Sequence, residues 1–587
     1  MSFAPAIIAC TDGASSSAPE ATAGDTAVIE TVPETVPETV AETVAETVVE
    51  TVAETVAETS EPETVAETSE PETVAETSET ETEVTPASTI VSADFGASDG
   101  PVRNLFGVNK LPRFGDARGG GHNYDVTQLW KQLGVSQARL HDVVDLCTIY
   151  KDALIEEMSS GTPVAVTICG AVTGSGPPHL RWTPRDLAKV DDPANYDFAQ
   201  LDTDIALILG TGADLYLRLG HNYNGANDTS DAEAWAKVAT NIYKHLIGEF
   251  APSALEADPT HVEVFNEPDG MFWVGDREVF FDLFRRTVDG VRAAATAAGK
   301  SPIVGGPGFT NNYLSKATKP TSAANGFVAA VTTGRLDFFS VHRYDTCATA
   351  TLAASQGFFA AVRAEVDRQG ASEIPLHLTE WNIGLGQSCG ETFYAEPRVQ
   401  SFISGMLTLM QAEAYDIEAA HYYLGSVPMG LFSVDASVVG TVTVRPHAWA
   451  LWAHSRLKSG TKAVTQVCAA GTCGSGLSSD GPLVALAATG ANGTRYVIVT
   501  NDSDAPVAYT LRVAGAGTPN TVGRYAPPTG TVTVAAALSG GSYVVSEAAV
   551  QALVGAIARQ TTATRVVGGG IEVDVTVGAR TFQLLEL

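Results

Sequence analysis

Between residues 104 and 458 the apolar positions fall into two rhythms that take turns. Short apolar or alternating runs, as a strand requires, occur at 104–109, 136–141, 214–219, 261–267, 302–307, 336–344, 374–380 and 417–423. Between them, apolar residues recur three and four positions apart at 125–133, 197–209, 231–250, 276–298, 323–332, 352–369, 397–412 and 446–458, which predicts helices. Strands that alternate with helices pair in parallel, and eight such units predict a (β/α)₈ TIM barrel. The longest interruption, 145–195, is rich in Gly and Pro. It predicts an excursion on the strand-end face of the barrel that shapes a cleft.

The texture changes on either side. From 459 to 587, short alternating runs such as Arg495-Tyr-Val-Ile-Val-Thr500 and Ile571-Glu-Val-Asp-Val575 are separated by Gly, Pro, Asn and Asp, the pattern of an antiparallel β-sandwich. No exposed aromatic platform stands out there, so structural support is the expected role. The barrel region spans 89–458, and a strand within its first stretch, 89–100, is expected to pair with this β domain. Residues 11–88 repeat Glu-Thr-Val-Ala and Glu-Thr-Ser-Glu-Pro units. Their four-residue period would align a helix face, but β-branched residues, stacked like charges and recurring prolines oppose that. An extended, disordered, self-repelling tether is expected.

Charge sharpens this division. The formal net charge is −33, of which residues 11–90 supply 20 Asp and Glu with no Lys or Arg, leaving about −13 for the rest. An acidic chain lacks the basic patches that phosphate backbones require, so nucleic acid is not an expected partner. No window offers the ~20 consecutive apolar residues of a membrane-spanning helix. Cys10 ends Ile7-Ile-Ala-Cys10, which resembles a bacterial lipobox, so residues 1–10 read as a signal remnant lacking a basic start, and a lipid on Cys10 is the one membrane attachment expected. The other six cysteines fall into the pairs Cys147 with Cys169, Cys347 with Cys389 and Cys468 with Cys473. An even set of this kind points to disulfides and an extracellular or cell-surface location. No cofactor or metal is expected: the cysteines lack zinc spacing, and no H-E-x-x-H, phosphate loop or dinucleotide fingerprint is present.

Candidate chemistry gathers at the strand ends. Two glutamates close predicted strands, in Asn266-Glu267-Pro268 and in Thr379-Glu380-Trp381, and Pro268 is expected to hold Glu267 at the tip of its strand. A lone strand-end glutamate is usually a solvated charge. Here His342 and Tyr344 end a third strand, and an α/β barrel builds its active site at these ends. Two facing carboxyl groups are what cleavage of a glycosidic bond needs. At about 5 Å apart one acts as nucleophile; at about 6.5–9.5 Å a water intervenes and configuration inverts.

Those two motifs resemble the signature of the clan of retaining (β/α)₈ glycoside hydrolases. With Arg139-x-His141, Gly305-Gly-Pro307, the Ser340–Tyr344 run and a C-terminal β-sandwich, the chain resembles glycoside hydrolase family 39, which includes β-xylosidases, α-L-iduronidases and exopolysaccharide hydrolases. The likeness covers roughly residues 100–587, with Phe265 standing where a Trp commonly precedes the Asn. It implies an oligo- or polysaccharide substrate, Glu267 as general acid/base, Glu380 as nucleophile, Asn266 on the sugar 2-hydroxyl and Tyr344 orienting Glu380. His141, His221, His342 and Tyr422 are candidate subsite residues, and Trp273 and Trp381 candidate stacking platforms. Two other readings stay open. One is a non-catalytic glycan-binding protein. The other is a serine esterase at Ser388, whose Gly-x-Ser-x-Gly sits in a loop instead of a strand-to-helix turn.

Overall fold

The structure, a computed structural model, describes residues 89–116, 122–169, 179–221, 226–251, 255, 257–331, 334–384, 389–425, 429–434 and 438–587. The tether at 11–88, Cys10 and Ser388 lie outside them. Eight strands close into a parallel barrel: β1 (Asn104–Asn109), β2 (Gln137–Arg139), β3 (Asp214–Leu219), β4 (His261–Val264), β5 (Ile303–Phe309), β6 (Phe339–Asp345), β7 (Leu376–Ile383) and β8 (Ile417–Tyr422), with β8 pairing back onto β1. A helix follows each: α1 (Thr127–Leu133), α2 (Ala199–Leu209), α3 (Ala232–Leu246), α4 (Arg277–Ala297), α5 (Phe327–Val331), α6 (Leu352–Arg368), α7 (Pro397–Leu409) and α8 (Ala448–Ser455).

The helices start where the chain supplies caps. Asp231 accepts from the Ala234 amide ahead of α3, Asp276 from Glu278 ahead of α4, and Thr351 from Ala354 ahead of α6. Gly134, at φ 72°, ends α1 in the left-handed conformation that glycine adopts without strain. Buried apolar faces such as Phe280, Phe284, Val288 and Val291 on α4 pack onto the strands. Among the described residues no helix is long and apolar enough to cross a membrane.

An eleven-stranded sheet lies beyond the barrel. Thr89–Pro101 sits inside it, antiparallel to Thr461–Ala469 and parallel to Val507–Ala514, so the sheet is not wholly antiparallel. Its side chains alternate between two cores. Val497, Val499, Leu511 and Val573 form a core of their own. Ile498, Leu486, Phe582 and Leu584 join the barrel core. A six-stranded sheet crosses the divide differently: Val532–Ser539 and Ser542–Val545, far along the chain, pair with Thr441–Val444 and with His122–Asp125 from the loop after β1. The excursion after β2 folds into three strands, Ala153–Ser159, Thr162–Ile168 and Leu180–Pro184, joined by Asp228–Thr229. Disulfides link Cys147 to Cys169, Cys347 to Cys389 and Cys468 to Cys473.

The lower barrel interior is filled by rings. Tyr216 lies 2.9 Å from His377 Nδ1 and stacks on His261, while Phe338 stacks on His377. Gly107 leaves room for this layer, since a Cβ there would stand 2.4 Å from the His421 ring. Burial pushes His261 down to about 4 and His447 and His454 to about 3; burial, with the neighbouring histidines and for His421 the Arg139 guanidinium, holds His377 and His421 well below their ordinary value. These histidines are neutral in both folded and unfolded chains above pH 7 and contribute nothing there. As pH falls below about 6.5 the unfolded chain takes up protons that the folded chain refuses. Stability is therefore lost on acidification, by about 1.4 kcal/mol per pH unit for each histidine fully differentiated. His141, and the carboxyls of Asp269, Glu418 and Asp502, whose values are raised, oppose this. The thermal midpoint is expected to fall by roughly 5 °C or more between pH 7 and pH 5. A midpoint that is flat over that range would contradict this account.

Candidate active site

The ends of β4 and β7 bring Glu267 and Glu380 together over the barrel mouth. Carboxylate oxygens of both, with a ring nitrogen of His342, lie within 4.8 Å of one another. The chain leaves β4 earlier than its apolar pattern suggests. The strand ends at Val264, Phe265 turns to φ 82° and Glu267 to φ 46°, so Glu267 is not the extended strand tip expected before a proline. Backbone bonds fix it there: the Glu267 amide donates to Gly308 O at 2.9 Å and the Gly270 amide to Glu267 O at 2.9 Å. Asp269 ties the same turn to the end of β5, accepting from the Thr310 amide at 2.9 Å and hydroxyl at 2.7 Å. Gly308, at φ 64°, packs tightly beneath; a Cβ there would stand 2.9 Å from His342 Nε2.

The two carboxyl groups have unlike surroundings. Glu380 is almost fully buried, with a side chain 5% exposed against 21% for Glu267. Its Oε1 accepts from Arg139 at 2.7 Å and lies 3.1 Å from His141 Nε2; its Oε2 accepts from the Tyr344 hydroxyl at 2.7 Å. Burial opposes the charge on Glu380, but His342, His141 and Arg139 together outweigh it and hold the carboxyl well below the usual range. Among the described residues Glu267 has one close side-chain partner, His342 Nδ1 at 2.8 Å, and that nitrogen is also 3.5 Å from Glu380. His342 thus stands between the two acids.

Beneath them Arg139 acts as a hub, with a fully buried side chain. Its guanidinium donates to Glu263 at 2.6 Å, Glu380 at 2.7 Å, Asn266 Oδ1 at 2.7 Å and Asn109 Oδ1 at 3.0 Å. Four side chains from the ends of β1, β4 and β7 are registered on one planar cation. The Asn266 orientation follows, because an arginine only donates and the amide oxygen must face it. His141 is held in turn by Asp142, 3.0 Å from its Nδ1, and Asp142 pairs with Lys110 at 2.9 Å.

Six of the expected residues therefore converge: Glu267, Glu380, Asn266, His141, His342 and Tyr344. Four do not. His221 accepts from the Trp235 indole at 2.9 Å and lies 3.4 Å from Asp145, so its ring nitrogens are turned to those two residues. Tyr422 is fully buried and donates to Asn382 and Met429 O. Trp381, 1% exposed, packs edge-on against Tyr422 outside the barrel, so it is no stacking platform. Trp273, 6% exposed, is wedged against Phe265 and Phe280 with its indole donating to Asp276 O.

The pattern also passed over residues that the fold recruits. Glu263 and Asn109 complete the Arg139 hub, and in the sequence Arg139 stands out only through the Arg139-x-His141 motif. Tyr423, one residue past the expected Tyr422, meets both His141 and Tyr344 edge-on at ring distances of 5.3 and 5.9 Å. Glu267, His342 and Glu380 are the donors that approach a metal-binding grouping among the described residues. Their atoms are already bonded to one another and to Tyr344, Arg139 and His141, which a cation would have to displace.

No protein-family model matches the chain, and no curated protein matches it by sequence. Solved structures do match over 85% of its length. A glucosidase from Croceicoccus marinus is similar at 18% identity over 98% of that chain, with a TM-score of 0.55. A GH39 enzyme from Xanthomonas axonopodis pv. citri follows at 15% identity over 97% of its chain and a TM-score of 0.53. A GH51 arabinofuranosidase from the same organism matches at 13% identity over its whole length, also with a TM-score of 0.53. At these identities the likeness establishes a shared fold, that of a barrel with an appended β region.

Proposed function

We propose that the chain is a retaining glycoside hydrolase that cleaves an oligo- or polysaccharide by double displacement, of β-xylosidase-like or exopolysaccharide-degrading type. The observation that carries this reading is the pairing of two carboxyl groups within 4.8 Å, one buried and ringed by donors, the other more open. A gap of that size suits direct attack and is too small for an interposed water. The glycosidases that share the fold add support.

In this mechanism Glu380, kept ionised, attacks the anomeric carbon while Glu267 gives its proton to the departing oxygen. The resulting glycosyl ester is hydrolysed by a water that Glu267 deprotonates, with attack from the opposite face restoring the original configuration. Tyr344, Arg139 and His141 fix which Glu380 oxygen is free to react. Asn266, its Oδ1 taken by Arg139, presents its NH₂ group to a sugar hydroxyl. The three disulfides fit an extracellular or cell-surface setting.

The test is product stereochemistry. Proton NMR of the first-formed sugar from an aryl β-glycoside is expected to show the β anomer before mutarotation. Initial α product would refute double displacement, and absence of turnover across a panel of aryl glycosides and polysaccharides would leave glycan binding without catalysis as the better reading.

A further inference from the structure

A recess of about 210 Å³ opens beside the Glu267 turn. Pro268, Asp269 and Trp273 bound it on one side, and Lys316, Lys319 and Ser322, from the segment after β5, on the other. Both walls belong to loops at the strand ends that carry the candidate active site. The first lining residue is the immediate neighbour of Glu267. An acid that protonates a departing oxygen must have the leaving group on its own side of the cleft, and this recess adjoins the turn that carries the acid.

Two of its lining residues are cations. Six of the eleven lysines pair with carboxylates: Lys110, Lys151, Lys189, Lys237, Lys300 and Lys462. Lys316 and Lys319 pair with no carboxylate among the described residues, although Asp269 stands in the same recess. That carboxylate is buried and turned to Thr310, which donates to both its oxygens. A protein of net charge −33 repels anionic polymers at a distance, so two uncompensated cations beside the acid give a local exception.

We propose that this recess is a leaving-group subsite for a sugar that bears a negative charge, a carboxylate or a sulfate, held by Lys316 and Lys319. The assignment rests on the glycosidase reading for its role in turnover, though binding can be tested without it.

The experiment uses the full chain and its Lys316→Gln/Lys319→Gln variant. Both are assayed on a glucuronic-acid-containing oligosaccharide, its carboxyl-reduced neutral counterpart, a sulfated counterpart and an aryl glycoside whose leaving group is too short to reach the recess. The wild type is expected to favour one of the anionic ligands over the neutral one by about tenfold in kcat/KM, and which anion it favours identifies the ligand. The preference should shrink as salt rises and vanish in the double variant, with aryl glycoside turnover unchanged. A preference that survives the double substitution, or a wild type indifferent to the carboxyl group and the sulfate alike, overturns the proposal. If the wild type cleaves nothing, the glycosidase reading fails by itself. Calorimetric titration of the Glu380→Gln chain with the same ligands then decides the recess: tighter binding of an anionic ligand that is lost on Lys316→Gln/Lys319→Gln sustains it, and equal binding overturns it.

Discussion

Glu380→Ala is expected to slow turnover of aryl β-glycosides by on the order of 10⁵-fold, and azide is expected to restore it. With the carboxylate gone, the small anion can enter the vacated space and attack the anomeric carbon, giving a glycosyl azide of inverted configuration. Glu267→Ala should behave differently. Substrates with a good leaving group, such as a dinitrophenolate, need little protonation and should form the ester nearly normally, then stall because no base activates water. Poor leaving groups should lose about 10²–10⁴-fold. Azide here should yield product of retained configuration, since it attacks the ester on Glu380. Glu380→Gln, whose amide oxygen still accepts from Arg139 while its NH₂ faces a Tyr344 hydroxyl that can turn to accept, checks that the loss is chemical and not a collapse of the hub. The role assignment fails if both alanine variants respond to leaving group and azide alike.

The division of labour behind that prediction lies in surroundings that local sequence only partly encodes. The eight strands and eight helices were legible because a parallel barrel repeats one rhythm, and their centres agree with the structure throughout. Side-chain direction was harder. In His261-Val-Glu-Val264 the alternation sets Glu263 on the face opposite the valines, and a strand of a closed barrel has no solvent face to offer it. The valines meet the helices and Glu263 points inward to Arg139, which is why the third carboxylate escaped notice. The same period of two moved Tyr422 outward and put Tyr423 over the site. Trp381 follows Glu380 directly and so must face the other way. The pairing of Ser542–Val545 with His122–Asp125 joins segments some 420 positions apart in sequence, and nothing in either stretch announces the other.

Arg139→Met should be the most damaging change to the fold of the site, with stability falling by roughly 3–5 kcal/mol. The buried cation offsets two carboxylates and two amide oxygens at once, and an uncharged side chain of similar length leaves Glu263 and Glu380 buried without their partner. Lysine would not substitute, because a single ammonium cannot reach four acceptors in one plane. Two measurements separate this from a general packing defect. The first is rescue: Arg139→Met/Glu263→Gln removes one of the stranded charges, and its denaturant midpoint should recover a good part of the loss. The second is the acidic limb of kcat/KM against pH. Arg139 is one of the groups that depress the Glu380 carboxyl, so the ionised form that attacks is lost at a higher pH once the guanidinium is gone. The limb should therefore move upward in both the single and the double variant. An unmoved limb in the double variant, folded as it is expected to be, would show that Arg139 only fills space and that His141, His342 and Tyr344 set the nucleophile without it.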